Sequence, residues 1–274
     1  MSKITLSKLP HSNDMLLIML QVISFWPAWY WYIMRLADGS DDSWGVIALL
    51  TILILCLLRG QRIDCALHDN YMLVAVILIA FYAVFYHSLS PMTRTLIALS
   101  TIAYTLSIRY LRIFRHPALW GLLILALPVF SSLTFYFSYP LRRIAGLISI
   151  SLIRIIGIPV SLDGTMLRWQ SNLIWIDAPC SGIRMLWTTF YLFFTLSVLM
   201  NLRFKTTFLL APVSLFIAIF GNALRSSSLF LLEIKRVSVP SWMHTGVGVL
   251  SFIFSSLILV VILQQCKKKE NAIL

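Results

Sequence analysis

The sequence predicts an all-α fold: a polytopic transmembrane helical bundle of about eight spans. Three observations carry that expectation. Of the 274 residues, 59% are hydrophobic, against about 45–50% in soluble domains. Mean hydropathy is +0.88. Apolar runs recur at close to the roughly 20 residues needed to cross a bilayer. A single integral membrane domain over 1–274 is expected, with N-terminal spans in 1–116, a core in 117–264 and a basic cytoplasmic tail in 265–274.

The formal charge of +12 fits the excess of Lys and Arg in the cytoplasmic loops of membrane proteins. A nucleic-acid footprint needs a solvated basic patch, and no stretch is long enough to make one, so the expected surroundings are membrane lipids and not nucleic acid. The four cysteines, Cys56, Cys65, Cys180 and Cys266, form neither CxxC nor metal-ligand spacing, and no two histidines sit at ligand spacing. No metal and no cofactor are expected.

Residues 1–14 are polar. Met15–Met34 is longer than a signal-peptide h-region and lacks an A-x-A site, so it reads as a retained helix. Its Trp26, Trp29 and Trp31 suit an interfacial belt. An acidic loop at 35–43 precedes the second span, Trp44–Leu58. A polar loop with Arg59 and Arg62 precedes the third, Tyr71–His87. The fourth is Thr93–Ile108, followed by Arg109, Arg112 and Arg115, and Pro117 starts a fifth that runs to about Phe137.

Leu141–Ile158 is interrupted by Arg142, Arg143 and Arg154. A central Arg facing lipid costs roughly 2.5–3.5 kcal/mol, so the expectation is an amphipathic helix lying at the outer interface, its arginines snorkelling into the headgroups. Within Val160–Ile176, Asp163-Gly164 between apolar residues predicts a small β-hairpin with a two-residue turn. The remaining spans are Ile183–Met200, Thr207–Leu232 and Trp242–Leu263.

With both termini in the cytoplasm, the inner face receives most of the loop Lys and Arg, and the outer face receives the acidic loop at 35–43, as the positive-inside rule asks. The arginines of 142–168 run against it. Segment 138–182 is then an outer-face segment, and Cys180, Arg225 and His244 all fall at the outer ends of their helices. Cys180 has no disulfide partner there and is expected to be a free thiol in an oxidising compartment.

Those three residues carry the chemistry. Cys180 stands in Trp175-Ile176-Asp177-Ala178-Pro179-Cys180-Ser181-Gly182-Ile183-Arg184, just before a helix expected to begin near Ser181 or Gly182. A helix N-terminus stabilises a thiolate, and Arg184 adds positive field. The plainer reading is a buried or lipid-facing thiol, but Asp177 and Ser181 beside it are not a lipid-facing composition. Arg225 interrupts an apolar helix with Asn222 three residues before it. An ionisable group inside a membrane segment is a functional-site hypothesis, the rival being a snorkelling side chain. Asn222 lies on roughly the same helical face, and Ser226–Ser228 read as the lining of a wet cavity. A lone His at a helix start, such as His244, is commonly just an interfacial polar residue, but its depth matches the other two. Gly246 and Gly248 after it allow close helix approach. A thiol with an imidazole and an oxyanion donor is a recipe for acyl transfer.

Ala178-Pro179-Cys180-Ser181-Gly182-Ile183-Arg184, then Asn222-Ala223-Leu224-Arg225, then His244-Thr245-Gly246-Val247-Gly248 resemble the exosortase/archaeosortase family of membrane transpeptidases. The resemblance covers about 120–264; the first hundred residues match only as hydrophobic spans. Pro179 departs from the Ala that many members carry before the cysteine. The resemblance implies a catalytic set of Cys180, Arg225 and His244, supported by Arg184, Asn222, Asp177 and Ser181. It implies exported protein substrates that end in a short motif, an apolar helix and a basic tail. It also implies a thioester passed to an amine or lipid acceptor or to water, at the outer face of a bacterial cytoplasmic membrane, with exopolysaccharide assembly as context. The alternative is a transporter or polymer-export component in which Arg225 lines a polar path. A thiol oxidoreductase would need a resolving cysteine that the outer face lacks.

Overall fold

The computed structural model describes residues 12–37, 43–59, 68–106, 117–170, 172–175, 182–234 and 240–272. Contacts divide the chain into two units, Met1–Ser131 and Ser132–Leu274.

Prolines and caps decide where the apolar runs of the first unit become helices. Met15–Met34, expected as one helix, is broken into α1 (Ser12–Ser24) and α2 (Trp26–Ala37), bent by 71° at Phe25. Pro27 has no N–H to give the preceding turn, and Phe25 points inward, fully buried, with its ring edge-on to Tyr82 at 4.8 Å. Then follow α3 (Trp44–Arg59), α4 (His68–Val84) and α5 (Pro91–Leu106). Pro91 takes the first position of α5, and the Ser90 hydroxyl accepts from the Thr93 amide at 3.3 Å. Gln21 donates to Thr105 at 2.9 Å, both buried, and ties α1 to α5. α6 (Pro117–Ala126) ends on a carbonyl that accepts from the Tyr32 hydroxyl at 2.8 Å.

The fifth span, expected as one helix to Phe137, stops at Leu127–Val129. Pro128 lacks the amide that would continue α6, and the Val129 amide turns back to the Leu127 carbonyl at 2.8 Å. α7 (Phe130–Ile155) then runs unbroken through Pro140. The separate interfacial helix expected over 141–158 is therefore corrected: it is the second half of α7. The end of α7 is a Schellman motif. Gly157 sits at φ 89, its amide donates to Arg154, and the Ile158 amide donates to Ile153.

The second unit carries a small sheet of β1 (Ser161–Asp163), β2 (Met166–Trp169) and β3 (Asn172–Trp175), antiparallel in that order. The expected hairpin is present, with Asp163 opposite Met166 across Gly164-Thr165 and Gly164 at φ 63. The third strand extends the expectation; the Trp169–Asn172 register closes it past Gln170, which is left-handed at φ 53. Val160 and Leu167 bury against Ile150 and Ile153 of α7 and Leu229 and Phe230 further on, so the sheet is packed onto the helices.

α8 (Ile183–Leu199), α9 (Phe204–Ile234) and α10 (Ser241–Ala272) complete the chain around Phe193, Leu202, Ile217, Leu259 and Leu263. The turn between α8 and α9 repeats the Schellman device with Asn201 at φ 51. Residues 265–272, expected as a tail, continue α10. Glu270, nearly buried, accepts the Arg203 amide at 3.1 Å, and Lys267 donates to the Asn201 carbonyl at 3.0 Å. The molecule is an all-α membrane protein. Among the described residues α9 and α10 are each long and apolar enough to cross a bilayer, and counting the bent pairs α1–α2 and α6–α7 as single spans gives up to four.

Candidate active site

The polar stretch before α8 ends on Gly182, which caps the helix in the left-handed conformation at φ 85 and ψ −4. Its carbonyl accepts the Leu186 amide at 2.8 Å, and no side chain caps the turn. The first amides of α8 therefore lack intrahelical partners and face back along the chain, where the helix dipole is positive. The expected start near Ser181 or Gly182 is realised at Ile183.

Gly182 lies against α9. A β-carbon on it would stand 2.8 Å from Nδ2 and 3.0 Å from Cγ of Asn222, which is 1% exposed. Just before Asn222, Gly221 is the point where three helices meet, since a β-carbon there would be 2.1 Å from Ser255 Oγ of α10 and 2.5 Å from Met185 Cε of α8. Close approach over small residues is how membrane helices pack. Ala223, next again, is held through its carbonyl, which accepts from Ser149 of α7 at 3.0 Å and from Ser227 at 2.8 Å. These contacts fix the turn of α9 that presents Asn222 and, three residues on, Arg225.

Arg225 is half-buried and reaches α10. A β-carbon on Gly248 would be 3.2 Å from its Nε, 3.4 Å from Cζ and 3.7 Å from Nη2. His244 is half-buried one helical turn before Gly248, where its amide donates to the Pro240 carbonyl at 3.4 Å. Of the residues expected to form the site, the structure thus draws Asn222 to the end of the cysteine motif and Arg225 to the turn of α10 that follows His244. Arg184 is exposed one residue past the helix start. Cys180, Ser181 and Asp177 lie outside the described residues.

Gly248 receives Arg225, whereas among the described residues nothing lies within 4 Å of a β-carbon on Gly246. Asn222, expected beside Arg225 or a substrate carbonyl, has its amide nitrogen 2.8 Å from where a β-carbon on Gly182 would stand. Ser226 and Ser227 are buried at 6% exposure, and Ser228 is exposed. Gly182, Gly221 and Ser149 are positioning residues that the sequence reading passed over. A glycine directly after a Cys-Ser pair and directly before an apolar run was the signal for the first.

What the arrangement can do follows from charge. A helix N-terminus carries positive potential and free amide donors, and a guanidinium such as that of Arg225 or Arg184 carries a positive charge, the kinds of group that favour a thiolate and a developing oxyanion. Among the described residues, no three His, Cys, Asp or Glu side chains converge as a metal site. Residues 19–261 match the sequence model of a family described as Transmembrane exosortase. No curated protein and no solved structure matches.

Proposed function

The chain belongs to the transmembrane exosortase family, and from that premise we propose that it is a cysteine transpeptidase or protease that removes the C-terminal sorting signal of exported proteins. The observation that carries the reading is the pair of contacts made by one turn of α9: Asn222 against Gly182, two residues after Cys180, and Arg225 against Gly248, one turn after His244.

In this mechanism the Cys180 thiol gives its proton to His244, and the thiolate adds to the carbonyl carbon of the scissile peptide. The oxyanion is stabilised by Arg225 and by the first amides of α8. The C–N bond then breaks, the electron pair stays on nitrogen, and His244 returns the proton to the leaving amine. The resulting thioester is consumed by an amine acceptor or by water. Asn222 holds the loop end, and Arg184, Asp177 and Ser181 support the approach. The substrate is an exported protein with a motif, an apolar helix and a basic tail, and the site opens at the outer face of the cytoplasmic membrane. The transporter reading has no comparable support, because the half-buried Arg225 is packed on Gly248 rather than standing in a row of intramembrane charges.

A protein bearing such a tail, taken from the same genome and co-expressed with this chain, tests the reading. Wild type is expected to shorten the tail. Cys180→Ser should reduce processing by at least about 10³-fold, since a hydroxyl is a far weaker nucleophile than a thiol poised as thiolate. Processing by the serine variant at the wild-type rate would end the cysteine mechanism.

A further inference from the structure

Where α7 turns into the sheet, an open groove of about 560 Å³ is lined by Arg154, Gly157, Val160, Ser161, Arg168 and Gln170. None of these lining residues belongs to the catalytic proposal. Arg154 donates both Nε and Nη2 to the Val160 carbonyl, at 3.0 and 2.8 Å. That fork fixes the guanidinium at the wall and leaves its other N–H groups to a ligand. Arg168 pairs with Asp163, but both side chains are about half exposed, and a pair of that kind is weak enough to exchange. Among the described residues, two guanidiniums against one carboxylate leave the groove with one net positive charge. Among them, too, nothing lies within 4 Å of where a β-carbon on Gly157, at φ 89, would stand, so the groove is open there along its backbone.

The rim is apolar. Ile155 and Ile156, between Arg154 and Gly157, are 82% and 63% exposed. They continue the exposed apolar surface of α7, which includes Phe135, Tyr136 and Leu147. In water, leaving an isoleucine out costs free energy relative to burying it; against acyl chains the cost disappears. A ligand that satisfies both parts has an anionic head and hydrocarbon tails. We propose that this groove binds the headgroup phosphate of an anionic phospholipid, with Ile155 and Ile156 among its acyl chains. A soluble phosphate would use the arginines and leave the isoleucines exposed. A peptide with a basic end would be repelled by the net charge. Because β1 starts in the groove and β3 leads into the cysteine motif, a bound lipid braces the sheet from below. The proposal goes beyond the peptidase reading and does not depend on it.

The full chain, purified in a non-ionic detergent, is titrated with phosphatidylglycerol, phosphatidylcholine and inorganic phosphate, with retained lipid read by native mass spectrometry. Wild type should hold phosphatidylglycerol over phosphatidylcholine. Arg168→Gln should cut phosphatidylglycerol affinity about tenfold, as loss of a charged hydrogen bond does, and leave phosphatidylcholine unchanged. Arg154→Gln should do the same; because it also frees the Val160 carbonyl, Arg168→Gln, at an exposed position, keeps the test valid if Arg154→Gln fails to fold. Ile156→Ser should weaken both lipids alike, and Arg143→Gln, outside the groove, neither. An unchanged lipid preference in Arg168→Gln overturns the proposal. So does displacement of phosphatidylglycerol by equimolar inorganic phosphate, which would make the groove a soluble-anion site, or by a basic-ended peptide, which would make it a substrate site.

Discussion

A methyl group added at Gly248 would stand 3.2 Å from Nε of Arg225, while the same methyl at Gly246 would meet nothing within 4 Å among the described residues. The guanidinium must then shift by a few tenths of an ångström in one variant and not in the other. Misplacement approaching 1 Å can cost about 10²-fold in rate. Gly248→Ala is expected to slow tail processing about tenfold with expression unchanged, and Gly246→Ala to behave as wild type; equal rates in the two variants would remove Arg225 from the site. His244 is argued from depth, one turn from that contact. His244→Ala should lower turnover by about 10²–10⁴-fold, the usual worth of a positioned proton-transfer group, with tail-peptide binding nearly unchanged. Lost binding with normal turnover of bound substrate would assign His244 to recognition. Arg225 was legible in the sequence because a charge in an apolar run has few structural uses. Its contact with Gly248 was only half legible, since the sequence offers two glycines in one motif and cannot say which faces α9.

The start of α8 depends on a left-handed residue. Gly182 at φ 85 has no β-carbon to strain, and Asn222 fills the space where one would be. Gly182→Ala should cost roughly 1–2 kcal/mol for the backbone conformation alone, and more for the clash. The expected outcome is a lower thermal midpoint together with lost processing. Asn222→Ala in the same chain should recover part of the stability, because it removes the clash and leaves the backbone strain. Strict additivity of the two losses would mean that the contact is not made. The element boundaries show what a hydropathy reading can miss. Pro27 and Pro128 break two segments that read as straight spans, because a reading by the length of apolar runs takes no account of a missing donor. Pro140 shows the converse: it sits inside α7, where the turns on either side carry the helix through. β3 was missed because its pairing is with β2 across Gln170, and no alternation in its own four residues announces it.

At the scale of the whole molecule, long continuous apolar runs sufficed for an all-α membrane fold, since the other spanning structure, a closed barrel, is built from short strands of alternating hydrophobicity. The number of spans was not legible. α3, α4 and α8 contribute apolar stretches shorter than the usual crossing length, and whether a short helix crosses depends on its neighbours and on the bilayer. The family was legible from three short motifs between Ala178 and Gly248, while the family match extends from residue 19 to 261, into helices that sequence reading recognised only as hydrophobic. Cys180 is proposed as a reactive thiol before α8, at the outer face and open to the substrate's tail. Intact cells treated with a membrane-impermeant thiol reagent, with and without a tail-bearing substrate, test it most directly once the labelled residue is located by digestion. Cys180 is expected to carry the label, as an electropositive and accessible thiol should, and the substrate is expected to protect it. Label on Cys65 or Cys266 from outside the cell, with Cys180 unlabelled, would contradict both the orientation and the mechanism.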